Sequence, residues 1–299
     1  MEIKNQKSIL AAAQIILKSN YTIALVGAGL SVGSGIPTFR GAGGLWTKLG
    51  EPSNNEYETF LKNPTAWWDQ NLNSQIDPER TNFRNAIEKA RPNSGHFALV
   101  ELENIDVLKH QITQNIDNLH YVAGSSKVTE IHGNRTKLRC TTCELRWHRE
   151  EFDEVSPFWQ DILPPKCPTC SGIIKPDTVM FGEPIPISIL NSCVNETNLA
   201  DCILVIGTSA TVFPAASFPQ EVLSSGGNII EINPEDTPIS EFAATSVKGP
   251  TESSLPKLLQ EIKRLIANDK IYQINDPSWR RSYYCHASRD FINIFPPCE

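Results

Sequence analysis

The stretch that most narrows the fold is "YTIALV" at 21–26, an apolar run that passes without a break into Gly27-Ala28-Gly29 and then into a helix opening near Ser31. A strand with so little polar alternation belongs in a sheet covered on both faces. Short β-branched runs recur as "HQIT" at 110–113, "CILVIG" at 202–207 and "NIIEIN" at 228–233. Helical patterns lie between them, "NSGHFALVELE" at 93–103 and "PAASFPQEVLSSGG" at 214–227. Alternation of this kind predicts βαβ units, and so an α/β chain with a parallel sheet.

Bulk composition removes several classes of function. The chain has 299 residues, 27 Lys plus Arg against 34 Asp plus Glu, and a formal charge of −7. No basic cluster stands out, which argues against direct nucleic-acid binding, because neutralising phosphates needs grouped cations. No apolar run reaches the roughly 18 to 20 residues that span a bilayer. The N-terminal "KSILAAAQIILKSN" lacks the form of a signal peptide, since Gln14 interrupts its apolar run. Its positions Ile9, Leu10, Ala13, Ile16 and Leu17 suit one face of a packed amphipathic helix. The expectation is a soluble, intracellular protein, cytoplasmic and without a membrane partner.

Glycine turns at strand ends carry the first chemistry. Gly27, Ala28 and Gly29 let the backbone approach a pyrophosphate while the N–H groups of the following helix face its charge. The ordinary dehydrogenase fingerprint is absent, because Val32 stands where G-x-G-x-x-G needs its third glycine. A turn serving only the strand-to-helix connection is the plain alternative. "SGIPTFRGAGGLW" follows, a glycine-rich loop with Phe39 and Arg40 suited to closing over a nucleotide.

After "HQIT" come Gln114, Asn115, Ile116 and Asp117, with His120 beyond. Side chains at the carboxyl end of a parallel strand face the ligand crevice, and amide and carboxylate groups there can pair with a nicotinamide. They can equally cap a helix. His132, followed by Gly133, has the titration range of a general base, and a structural histidine fits as well. Gly207, Thr208 and Ser209 put donors and hydroxyls at a third strand end, and Asn233, Pro234 and Glu235 lie at a fourth. Polar turns at that many strand ends describe a ligand longer than a mononucleotide.

Between about 136 and 178 the apolar periodicity fades and two C-x-x-C pairs appear, Cys140 with Cys143 and Cys167 with Cys170. Their separation slightly exceeds the usual two-knuckle spacing, which loop length absorbs. Four thiolates make a closed tetrahedral zinc site with no position for water, hence a structural Zn2+. The remaining cysteines, 193, 202, 285 and 298, are scattered and give poor support to a disulfide framework.

In this order, G-A-G-x-S with S-G-I-P-x-F-R, T-Q-N-I-D, H-G, paired C-x-x-C, F-G-E, G-T-S and I-N-P-E, the motifs resemble those of the sirtuin family over roughly residues 8–262. The resemblance implies an NAD-dependent protein deacylase with a Rossmann-like parallel-sheet domain. It also implies a smaller lobe made of a zinc-ribbon-like insertion and a helical insertion. The corresponding division is a catalytic unit over 1–266, with a core at about 8–40, 93–135 and 179–262. The helical insertion is then about 41–92, the zinc module about 136–178, and a tail of unassigned role 267–299.

Carried over by residue, the resemblance implies NAD contacts from Gly27, Ala28, Gly29, Ser31, Phe39, Arg40, Gln114, Asn115, Ile116 and Asp117. Gly207, Thr208, Ser209, Asn233, Pro234, Glu235 and Thr251 complete that set. His132 is similar to the family's base, assisted by Asn115. Val179, Phe181 and Gly182 look like the segment that pairs with an acyl-lysine peptide or protein. The implied reaction moves the acyl group to ADP-ribose and frees nicotinamide. "FRGAGGLW", with Ala42, resembles the acidic-acyl branch, but Asn71 and Ser74 stand where that branch carries its Tyr-x-x-Arg pair. Arg80 or Arg84 is a substitute by chemistry. Deacetylation or broad deacylation is favoured on these grounds. Protein mono-ADP-ribosyl transfer and a non-catalytic NAD-sensing module are the alternatives.

Overall fold

Among the described residues nine strands organise the fold: β1 (Thr22–Val26), β2 (Leu108–Thr113), β3 (Val128–Glu130), β4 (Lys137–Cys140), β5 (Arg146–His148), β6 (Ile174–Pro176), β7 (Cys202–Ile206), β8 (Asn228–Asn233) and β9 (Thr245–Lys248). The computed structural model describes residues 2–40, 43–72 and 78–275, with side chains over 5–40, 43–72 and 78–268. Ala42, Ser74, Cys285 and Cys298, which the sequence singles out, lie outside the described residues, as does the segment 276–299.

Six strands form one parallel sheet in the order β3-β2-β1-β7-β8-β9. Chain order reverses at β1, which pairs with β2 on one side and β7 on the other. In an open α/β sheet such a reversal leaves a crevice at the carboxyl ends of the strands. Register then decides which residues meet there. Val26 pairs with Thr113 and with Ile206, and Ile206 pairs with Ile232. The next residues, Gln114, Gly27, Gly207 and Asn233, therefore stand side by side along the crevice.

Every residue of β1 and β7 is buried. Ala24, Val26, Leu204, Ile206, Ile230 and Ile232 enter one core, while Ile23, Leu25, Ile203, Val205 and Ile229 enter another. Each large aliphatic side chain removed from water contributes about 1.5 to 3 kcal/mol. The helices that cover these faces, with the others, are α1 (Glu2–Lys18), α2 (Leu45–Leu49), α3 (Glu56–Lys62), α4 (Pro64–Leu72), α5 (Pro78–Lys89), α6 (Ser94–Asn104), α7 (Leu119–Ala123), α8 (Arg149–Val155), α9 (Ile187–Leu199), α10 (Phe218–Ser224) and α11 (Thr251–Asn275). Residues of α1, α6 and α11 fill the first core, and Cys193 of α9 with Phe218 and Val222 of α10 fill the second.

The smaller lobe has its own core. Phe60 of α3 and Trp68 of α4 pack with Leu138, Phe152, Trp159 and Ile174 from the cysteine region. Trp68 Nε1 also donates to the Ile174 carbonyl at 2.9 Å. The helical insertion and the antiparallel sheet β5-β4-β6 are thereby joined into one body.

Some details differ from the sequence reading. The helix expected to open near Ser31 is a 3-10 helix, Ala28–Ser34, and opens three residues earlier. The inward face of α1 is Ile9, Ala12, Ala13 and Ile16, with Leu17 turned outward. The last helix continues across position 266 to Asn275. Among the described residues, no helix is long and apolar enough to cross a membrane.

Candidate active site

The turns that follow β1 and β7 lock together through their backbones. Gly27 N–H donates to the Ile206 carbonyl at 2.9 Å, and Gly29 N–H donates to the Gly207 carbonyl at 2.8 Å. A Cβ on Gly29 would lie 2.6 Å from Gly207 Cα, and one on Gly207 would lie 2.6 Å from the Leu30 nitrogen. Gly207 also has φ +57, a region costly for most other residues. Glycine is needed on both sides of this contact for the two turns to fit.

Around this lock lies a cleft of about 2080 Å³. Every nucleotide-site and substrate-site residue expected from the sequence lines it except Ser31. Ser31 is buried behind it and lines a small side recess with Ala28, Phe39, Asn115, Ile116 and Asp117. That recess is polar on one side only. Ser31 Oγ donates to Asp117 Oδ2 at 2.6 Å, and Asn115 Nδ2 donates to the Gly27 carbonyl at 3.1 Å and to Ser31 Oγ at 3.2 Å. Asp117 Oδ1 accepts the Leu119 N–H at 2.9 Å, so the carboxylate caps α7 and faces the recess as well. The helix-capping reading of Asp117 is met by this bond, and the position beside the recess leaves the ligand reading open.

Other candidates are committed to the frame. Gln114 Nε2 donates to Thr208 Oγ1 at 2.9 Å, and Asn233 Nδ2 donates to the Thr208 carbonyl at 3.1 Å. Thr251 Oγ1 donates to the Gly29 carbonyl at 3.0 Å. Ser209 Oγ lies 2.9 Å from Thr211 Oγ1. His120 does not line the cleft; it is buried against His96 with ring centroids 5.5 Å apart, and burial pushes it down to about 4.

His132 follows the end of β3 and meets both halves of the cleft. Its Nδ1 stands 3.2 Å from the Gln114 carbonyl, and its own carbonyl accepts the Val179 N–H at 2.9 Å. A carbonyl only accepts, so Nδ1 carries the proton and Nε2 is left with its lone pair. Burial pulls His132 below its ordinary 6.5, against the opposing pull of the Gln114 carbonyl.

A strip of rings roofs the cleft. Phe39 lies 5.2 Å from Phe83 and 4.7 Å from Trp46, and Trp46 lies 5.1 Å from Phe181. Arg40 is held by Glu51 through two contacts of 2.7 and 2.9 Å, with its guanidinium over Trp46 at 4.6 Å. Glu51 carries no motif signal, and Trp46 enters the sequence reading only as the last residue of "SGIPTFRGAGGLW". Arg84 also lines the cleft and donates to Asn71 at its carbonyl (2.5 Å) and its Oδ1 (2.6 Å).

The cysteines separate from His132. The Sγ atoms of Cys140, Cys143, Cys167 and Cys170 all lie within 4.8 Å of one another. Cys140 to Cys170 is 3.5 Å and Cys143 to Cys167 is 3.7 Å. A tetrahedral zinc with bonds of about 2.3 Å sets sulfur atoms roughly 3.8 Å apart, so the four thiolates fit one Zn2+. His148 stays outside this cluster and precedes α8.

The comparisons with known proteins agree with this geometry. The profile of the Sir2 family matches residues 27–214. A curated NAD-dependent protein deacylase of Pyrococcus abyssi is 39% identical over 259 residues, covering 86% of this chain and 99% of its own. A mutant Sir2 homologue solved with ADP-ribose superposes with a TM-score of 0.72 at 37% identity, covering 86% of this chain and 97% of that one. Sir2Af2 bound to a myristoylated histone peptide gives 0.62 at 30% identity, covering 90% and 100%.

The separation of His132 from the thiolates predicts distinct phenotypes. Cys140→Ser is expected to lose bound zinc and loosen the smaller lobe, whereas His132→Ala keeps one zinc per chain. Metal analysis and protease sensitivity of the two variants check this, and zinc loss from His132→Ala would contradict it.

Proposed function

The chain belongs to the Sir2 family, and from that premise we propose that it is an NAD-dependent protein-lysine deacylase that transfers the acyl group to ADP-ribose and releases nicotinamide. The position of His132 carries this reading. Its ring is held by Gln114 of the nucleotide row, and its backbone is held to Val179 of the substrate segment. One side chain thus stands where a ribose and an acyl-lysine would meet.

NAD, as co-substrate, supplies a ribose carbon activated by its nicotinamide leaving group. The chain's residues orient and deprotonate. Asp117, held by the Ser31 hydroxyl, offers acceptor oxygen to the N–H groups of a carboxamide in the side recess, with Ile116 along its wall. Asn115 is fixed through its Nδ2, so its Oδ1 is aimed as an acceptor for a ribose or amide proton. His132 Nε2 takes the proton of a ribose hydroxyl, and the Gln114 carbonyl stabilises the imidazolium that results. Gly27, Ala28 and Gly29, with two of their N–H groups spent on the neighbouring turn, form a floor of little side-chain bulk on which the pyrophosphate can lie, with Phe39 and Arg40 closing above. Gly207, Thr208, Ser209, Asn233, Pro234, Glu235 and Thr251 shape the far end for the second ribose and adenine. Val179, Phe181 and Gly182 receive the substrate backbone by β-addition. Cys140, Cys143, Cys167 and Cys170 hold the structural Zn2+.

For the acyl group we favour acetyl or a broad range of neutral chains. Arg84 spends donors on Asn71, and the Tyr-x-x-Arg pair of the acidic-acyl branch is absent from the sequence. Peptides bearing acetyl, longer fatty acyl or succinyl lysine, incubated with NAD, test both points by mass spectrometry. The expected outcome is NAD-dependent conversion of acetyl or fatty acyl lysine to lysine, with succinyl lysine slower. Faster succinyl removal would overturn the acyl preference. ADP-ribosylated peptide without lysine release would overturn the deacylase reading.

The pH profile provides a second check. The base must be neutral to act, so activity is present above the His132 pKa and falls as pH drops through it. Because burial lowers that pKa, the acid limb of kcat/KM is expected to have its midpoint below 6.5. A midpoint well above 6.5 would assign that limb to another group.

A further inference from the structure

The segment "KPDTVMFGE", Lys175 to Glu183, runs from the end of β6 into a turn, and its charged groups are buried. Lys175 and Asp177 are both 0% exposed, and the Glu183 side chain is 4% exposed. Charges are kept in such a place only when each is paired. Glu183 Oε1 accepts from Arg139 Nη2 at 2.6 Å, and Oε2 lies 3.0 Å from Lys175 Nζ. Asp177 Oδ1 lies 3.2 Å from Arg139 Nε and 2.9 Å from Arg146 Nε.

The cations belong to the zinc-bearing sheet. Arg139 and Lys175 are register partners across β4 and β6, next to the pair Cys140 and Ile174. The carboxylate they hold belongs to the substrate segment. Glu183 Oε2 also accepts the Met180 N–H at 2.9 Å, while Glu183 N–H donates to the Met180 carbonyl at 3.0 Å. The turn containing Phe181 and Gly182 is thus closed from both ends by one residue.

We propose that Glu183 is a positioning residue for the acyl-lysine substrate: paired with Arg139 and Lys175, it holds Val179 to Gly182 in the form that receives the substrate backbone. This rests on the deacylase reading above. Glu183 does not reach the reacting atoms through any contact seen here; it acts through the segment it closes. Neutralising it leaves Arg139 with Asp177 and Lys175 with only the carbonyls of Pro176 and Thr178, so one buried positive charge loses its counter-charge and the segment that carried it loosens.

Glu183→Gln, Lys175→Met and the double variant test the assignment with an acetyl-lysine peptide and NAD. Glu183→Gln is expected to raise the peptide KM about tenfold while kcat, the NAD KM and zinc content stay within about twofold, since misplacement costs orientation in one substrate only. The double variant is expected to raise KM by less than the product of the single effects, because the two residues share one interaction. Titration of the same peptide in the presence of ADP-ribose gives a parallel loss of affinity without turnover. Unchanged peptide KM and affinity, an equal rise in NAD KM, loss of zinc, or fully multiplicative single effects would overturn the proposal. If Glu183→Gln does not fold, Glu183→Asp keeps the charge with a shorter reach; it is expected to raise peptide KM by a few fold, and no rise would overturn the proposal. A wild-type protein that binds the peptide without deacylating it would sink the deacylase reading instead, and the titration would still report on Glu183.

Discussion

The backbone contact between the β1 and β7 turns governs the rest of the site. Two adjacent parallel strands end in the same row, and each turn must pass within van der Waals distance of the other. Only glycine permits that approach, and the result is a floor of peptide groups with no side chains to block a phosphate. Thr208, Thr251, Gln114 and Asn233 then spend hydrogen bonds on bracing this floor. Several residues that look like direct ligand contacts in the sequence therefore also hold the site together before a ligand arrives. Preorganisation of this kind lowers the ordering cost of binding.

The second constraint is the way one short stretch serves two sites. His132 and Cys140 are close in sequence, yet one turns toward Gln114 in the row of strand-end turns and the other enters a closed thiolate cluster. The strand β4 lies between the two, and its Arg139 pairs with Glu183 at the end of the segment proposed to receive substrate. The zinc module contributes shape rather than a Lewis acid, because four thiolates leave the metal no open position. The aromatic strip from Phe83 to Phe181 links the helical insertion to the same segment from above.

Legibility in the sequence followed burial and motif density. The central strands were readable because both their faces are covered, which leaves an unbroken apolar run. The edge strands β3 and β9 were not, being short and only partly buried. The thiolate cluster announced itself through spacing. The ion network of Lys175, Asp177, Glu183 and Arg139 did not, since charged residues ordinarily mark solvent-facing loops and only tertiary pairing reverses that expectation. Glu51 was silent for a related reason: nothing local ties an exposed carboxylate to Arg40, eleven residues earlier. Asp117 shows a further limit, because capping and ligand recognition use the same residue type, and one carboxylate both caps α7 and lines the recess.

The central claim is that His132 and the nucleotide row act on one ribose, so that acyl transfer and nicotinamide release are a single coupled process. Quantifying nicotinamide, deacylated peptide and O-acyl-ADP-ribose in the same reaction, by chromatography with mass detection, addresses this most directly. The three products are expected in equal amounts with wild-type protein, and all are expected to fall together with His132→Ala. Free carboxylate in place of O-acyl-ADP-ribose, or nicotinamide release without deacylated peptide, would contradict it.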